Sequence, residues 1–303
     1  MENQQPNQQF NQQPNMGPTP ITTGKRIWYM WGALIIKIAI SYAVTLAAEV
    51  VYMALYAYNN PDAFLEMSTS QDAIMEFAYQ IVEVLMPYTT LLEGIAALVT
   101  IPILALMMRS DWKKEKKFGI VSPTKAPIGK YGAIILLSAA MCIGVNCLLY
   151  ISGLTVIDET YTEVTTAMYS ADFGVQILCL GFLVPICEEL VFRGLMYKRL
   201  RYTCSFIQAG LYTAIAFGIF HGNVVQMIYA FVLGMLFAYL YEKYGSIKAP
   251  VLAHVVMNLV SVFATEFGLM GWMSVEYIRI ATITVVCAAI ASTMFVLVQR
   301  MEN

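Results

Sequence analysis

The chain holds two histidines, His221 and His254, and both lie in strongly apolar stretches. A third apolar stretch carries the carboxylate pair Glu188 and Glu189. An ionisable side chain at membrane depth costs about 2.5–3.5 kcal/mol on insertion scales, so such residues read as functional by default. These residue types, in these surroundings, point to an enzyme that works inside a bilayer.

Three short groups carry the chemistry. The first runs Pro185-Ile186-Cys187-Glu188-Glu189-Leu190-Val191-Phe192-Arg193, the second Phe217-Gly218-Ile219-Phe220-His221, and the third His254-Val255-Val256-Met257-Asn258. On a helix, residues four apart share a face, so Glu189 and Arg193 can neutralise each other. Glu188 lies about 100° around the helix and is left over for chemistry. Its plain alternative is an acid that snorkels to the interface. Pro185 removes a backbone donor and disturbs the carbonyl of Gly181, which predicts a kink and open backbone just before the acid pair. His254 and Asn258 are also four apart and could donate to a developing oxyanion, a large term in acyl transfer. As a structural pair they would instead bond neighbouring helices, at about 1 kcal/mol or less. His221, taken alone, reads equally as a helix-end residue facing water.

The elements that must position these groups are membrane spans. Hydrophobic residues make up 59% of the chain and charged residues 13%, far below the roughly 25% charged of soluble domains; mean hydropathy is +0.64. The expected fold is all-α, a polytopic membrane helix bundle of about eight transmembrane helices, since a span needs roughly 20 apolar residues. The candidates are 27–56, 84–108, 131–156, 173–192, 206–220, 224–240, 249–267 and 277–298. With the N-terminus placed in the cytoplasm, every Lys and Arg except Lys37 and Arg279 falls in an inside segment. The outside loops carry Asp62, Glu66, Asp72, Glu76 and Glu83, then Asp158, Glu159, Glu163 and Asp172. That asymmetry predicts both termini in the cytoplasm, in the plasma membrane. Residues 1–24, rich in Gln, Asn and Pro, read as a disordered cytoplasmic tail rather than a signal peptide. Residues 25–156 then form the N-terminal spans and 157–300 the catalytic region. The six cysteines show no paired spacing in an outer loop and read as free apolar thiols. No basic face for nucleic acid is present; the expected partners are the lipid bilayer and a membrane-anchored protein or peptide.

Taken together, Glu-Glu-x-x-x-Arg, Phe-x-x-x-His and His-x-x-x-Asn, in that order over three spans, resemble the CAAX protease and bacteriocin-processing family of intramembrane proteases, often labelled Abi, which includes the CAAX prenyl protease 2 type. The resemblance covers roughly 173–265, and all three motifs are complete. It implies that Glu188 and His221 activate a water that attacks the scissile carbonyl, and that His254 and Asn258 stabilise the oxyanion. Glu189 and Arg193 then take supporting roles, and Phe217, one turn before His221, limits water at the site.

The family commonly carries the name metalloprotease, and Glu188, His221 and His254 are a legitimate zinc ligand set. The His-Glu-x-x-His helix of typical zinc proteases is absent, so the reading favours a glutamate-activated water, with zinc close behind. No aspartate lies within an expected span, which excludes an aspartyl dyad, and no Gly-x-Ser-x-Gly turn is present. Depth raises one question: at 1.5 Å per residue His254 is about 9 Å in from Lys248, whereas His221 is about 22 Å in from Phe206. For the histidines to meet, the fifth helix begins deeper, or tilts, or part of 197–204 is embedded. Two other classes stand beside the protease. One is a transporter using Lys37, Glu49, Glu93 and the histidines as a polar path; the other is a non-catalytic membrane scaffold or bacteriocin-immunity factor that keeps the site but acts by binding.

Overall fold

The computed structural model describes residues 23–67, 70–120 and 123–301. The expected disordered tail falls outside the described residues up to residue 22, and α1 (Thr23–Asn59) begins at once. There follow α2 (Pro61–Met67), α3 (Gln71–Leu85), α4 (Thr89–Lys117), α5 (Gly132–Ser152), α6 (Leu154–Ile157), α7 (Glu159–Tyr169) and α8 (Phe173–Leu200). The chain ends with α9 (Phe206–Phe220), α10 (Val224–Tyr244), α11 (Lys248–Glu266), α12 (Leu269–Ser274) and α13 (Tyr277–Gln299). The protein is an all-α polytopic membrane bundle. Seven helices among the described residues are long and apolar enough to cross a membrane. The remaining expected span is α9, which at 15 residues is shorter than the roughly 20 a crossing needs.

α8 is the central helix. More than half of its apolar window is buried, 56%, against 11% in α1 and 17% in α13, which therefore face outward. Val191 to Tyr197 form an unbroken buried run. α9 packs antiparallel on α10, α13 on α5, and α11 lies between α5 and α8. The close approach of α8 to α11 depends on Gly181, where a Cβ would come within 2.5 Å of the Leu259 side chain.

The basic end of α8 is locked by ion pairs. Arg199 Nε donates to Asp111 Oδ2 at 2.6 Å and its Nη1 to the Tyr29 carbonyl at 2.5 Å. Lys198 pairs with Glu115 at 2.7 Å, and Arg201 with Glu242 at 2.5 Å. Asp111 and Arg199 are both about nine-tenths or more buried, a setting in which loss of one partner strands the other at a cost of about 3–5 kcal/mol. These pairs tie α8 to α1, α4 and α10 and so fix the depth of the groups farther along it.

Candidate active site

The expected pairing within α8 forms. Arg193 Nη1 donates to Glu189 Oε1 at 2.8 Å, and neither side chain has measurable exposure. Arg193 Nη2 donates to the Gly234 carbonyl at 3.1 Å, and the guanidinium lies 4.7 Å from the Phe217 ring centroid and 5.1 Å from that of Phe237. Glu188, as the helical spacing requires, takes no part in this pair.

His254 of α11 bridges the two acids. Its Nδ1 lies 3.0 Å from Glu189 Oε1, and its Nε2 lies 3.8 Å from Glu188 Oε2. A carboxylate paired with arginine can only accept, so Nδ1 carries the proton. In the neutral ring Nε2 is then bare and faces Glu188. Phe237 stacks on the imidazole at 5.0 Å. The sequence reading missed Phe237 and Gly234, because nothing in an apolar run of α10 marks which residue meets an imidazole or a guanidinium.

His221 ends α9. Its Nδ1 lies 2.7 Å from the Phe217 carbonyl four residues back, which accepts, so here too the neutral ring keeps Nε2 as an acceptor. The two histidines flank Phe217 rather than stacking on each other, with ring centroids 4.8 Å and 5.8 Å from it. Phe206, the first residue of α9, packs on Tyr239, five residues before the last residue of α10, and Phe217 lies between the two histidine rings.

The backbone leaves straight α geometry on both sides of Pro185. The helix widens to a π pattern over Ile177–Leu183 and again over Leu190–Tyr197, with α geometry over Val184–Glu189 between them. In the first wide turn Val184 N–H reaches back five residues to Cys179 O. The next residue is Pro185, which has no N–H, so the carbonyl left without a backbone donor is that of Leu180, not Gly181 as straight α geometry implied. Asn258 Nδ2 fills the vacancy at 2.8 Å. One N–H of the Asn258 amide is thus committed to α8, and the other has no hydrogen bond among the described residues.

Lys37 and Glu93 also converge near the site. Lys37 Nζ is 3.5 Å from Glu93 Oε2 and 4.3 Å from the ring centroid of Phe220, the residue before His221. The expected path for a transporter is, at these two positions, an ion pair. Glu49 lies elsewhere on α1 and is half-buried.

Among the described residues, no group of three His, Cys, Asp or Glu side chains lies close enough to hold one metal ion. In this arrangement Glu188, His221 and His254 do not fit a zinc ligand set, and no step below passes through a metal. All six cysteines are free thiols.

Residues 170–260, which hold all three motifs, match the family model of type II CAAX prenyl endopeptidases, Rce1-like. Over this segment the chain is similar to the CAAX protease family. A stretch of 74 residues is also 35% identical to the Bacillus subtilis (strain 168) protein named "Putative membrane peptidase YdiL", covering 24% of this chain and 30% of that protein. The chain therefore matches less than a third of that relative's length. No solved structure matches significantly. The matched stretch begins just before α8 and ends within α11, so α1 to α7, α12 and α13 lie outside it.

Proposed function

We propose that the protein is an intramembrane endopeptidase that hydrolyses a peptide bond in a membrane-associated protein, a lipidated CAAX-type chain or a small peptide precursor. The observation that carries this reading is Glu188, a 7% exposed carboxylate left outside the Glu189–Arg193 pair and set 3.8 Å from a bare imidazole nitrogen. It lies twelve residues along α8 from Leu200, at the basic end of that helix.

In the proposed reaction Glu188 takes a proton from water while His221 Nε2 accepts the second O–H and orients the oxygen. The oxygen bonds to the scissile carbonyl carbon, and the carbonyl electrons move to oxygen. The proton then passes from Glu188 to His254 Nε2. This makes His254 an imidazolium whose Nε2–H can face the new oxyanion, beside the uncommitted N–H of Asn258. Collapse of the intermediate breaks the C–N bond, and the proton held by His254 leaves with the amine. Glu189 fixes the tautomer on which this sequence depends, and Arg193 fixes Glu189. Phe217 limits the entry of other water.

The test is cleavage of a panel of membrane-tethered and prenylated peptides by detergent-purified protein. Wild type should cut at least one peptide, with Glu188→Ala and His254→Ala reduced by at least 10³-fold, and with a strong chelator leaving the rate unchanged. Loss of cutting with chelator would move the reading to a metal enzyme. Full cutting by Glu188→Ala would end the catalytic assignment.

A further inference from the structure

His221 opens a reversal only three residues long, His221 to Asn223, between α9 and α10, and its ring position depends on what holds that reversal. Gly222 supplies the left-handed φ of +77° that the turn needs. Asn223 caps α10, with Oδ1 accepting Gln226 N–H at 2.8 Å, while its Nδ2 donates to Gln226 Oε1 at 2.6 Å and contacts the His221 carbonyl at 3.5 Å. A helix start leaves four N–H groups without intrahelical partners, and Asn223 serves only one of them.

A second is served from far away in the chain. Asp158 Oδ2 accepts the Val225 N–H at 3.0 Å across 67 residues. Its other oxygen, Oδ1, accepts the Tyr161 N–H at 3.1 Å and so caps α7. One carboxylate thereby joins two helix N-termini, where negative charge is favoured. α7 is itself anchored at its far end: the Tyr169 hydroxyl lies 2.8 Å from Ser261 Oγ on α11, and Thr90 Oγ1 on α4 donates to the Met168 carbonyl at 2.6 Å. Asp158 is therefore a strut between a helix fixed at its other end and the first turn of α10, two residues past Asn223.

We propose that Asp158 is a positioning residue for His221, holding the α9–α10 reversal in register through the Val225 N–H. The proposal rests on the catalytic reading only for the importance of His221. Its test measures placement rather than turnover, so the two can fail separately.

The chain has only two histidines, so protein labelled at the imidazoles and held in detergent micelles gives two ring signals, assigned by His221→Gln. Asp158→Ser keeps a cap for the Tyr161 N–H but is too short to reach Val225. Asp158→Asn keeps the shape with one acceptor oxygen in place of two. The expected result is that Asp158→Ser shifts or broadens the His221 signal into several while His254 keeps its wild-type position, with Asp158→Asn intermediate. In the wild type, the Val225 amide should be protected from hydrogen exchange although it lies in the first turn of a helix. A His221 signal unchanged in folded Asp158→Ser, both histidines moving together, or a freely exchanging Val225 amide would each overturn the proposal.

Discussion

Removing the Asn258 amide should cost stability in an amount that depends on Pro185, three helices back in sequence. In the wild type the Leu180 carbonyl has no backbone donor, because the π register points it at Pro185, and Asn258 Nδ2 supplies the bond at 2.8 Å. Leu180 is 5% exposed, so Asn258→Ala leaves an acceptor without water, at about 1–3 kcal/mol. Bonds between membrane helices average about 0.6 kcal/mol and reach about 1.7, which places the expected loss near 1.5 kcal/mol. Pro185→Ala restores an N–H at the position facing the Leu180 carbonyl. In that background Asn258→Ala should cost only about 0.5 kcal/mol, a coupling of about 1 kcal/mol in a double-mutant cycle. Equilibrium unfolding in mixed micelles, followed by the fluorescence of the 4 tryptophans, measures all four corners. Strictly additive costs would refute the argument that proline created the vacancy that asparagine fills. Cleavage by the same proteins separates the two uses of the amide. If stability returns in the double variant and cutting does not, the second N–H of Asn258 acts on the substrate.

Two more perturbations follow from charge. Glu93→Gln strands Lys37, whose side chain is 8% exposed, whereas Lys37→Met strands Glu93, whose side chain is 39% exposed. The first should destabilise by on the order of 2 kcal/mol more than the second; equal midpoints in thermal unfolding would show that depth does not govern this pair. At Asp158 the Val225 N–H, foremost, holds the carboxyl below the ordinary carboxylate range. A depressed folded-state value stabilises above the unfolded value and loses that effect as pH falls through the folded one. Wild type should therefore exceed Asp158→Asn in thermal midpoint by a constant margin near neutrality, and the margin should vanish in acid below the usual carboxylate range. Tyr161 beside it, its phenol pushed up by burial, stays neutral throughout. A margin that persists at low pH would show that charge at Asp158 is not what joins the helices.

The spans and the three motifs were legible because both depend on local pattern. Twenty apolar residues announce a helix, and a four-residue spacing places Glu189 against Arg193 whatever surrounds them. Register was not legible. The π turns on either side of Pro185 move the open carbonyl by one residue, from Gly181 to Leu180, and no propensity marks them. Contacts across long intervals were hidden for a different reason. Asp158 reads as one acid among several in an acidic loop, and only the fold brings it to Val225. Lys37 and Glu93 stood out as charges at depth, but which of the buried charges pair is decided by helix order in the bundle. Depth also escaped the sequence. The spacing left three placements open for the start of α9, and only the fold shows that Phe206 packs on Tyr239 of α10.

The Glu189–Arg193 pair is a poor device for stability, and that bears on what it is for. Both side chains are fully buried, yet Glu189 Oε2 and Arg193 Nε have no hydrogen-bond partner among the described residues. Buried ions break even only when their remaining donors and acceptors are satisfied, and apolar replacements of similar volume are often more stable. What an apolar pair could not do is hold His254 Nδ1–H. Glu189 Oε1 takes that proton donor at 3.0 Å while Arg193 holds the carboxylate in position. The consequence reaches the other ring nitrogen, since a ring protonated at Nδ1 presents a bare Nε2 to Glu188. The arrangement thus uses two charges to set the tautomer of the residue on which the proposed reaction relies. It follows that Glu189→Gln, which keeps an acceptor oxygen but gives up the charge opposite Arg193, acts on His254 rather than on substrate, through a ring free to turn over or change tautomer.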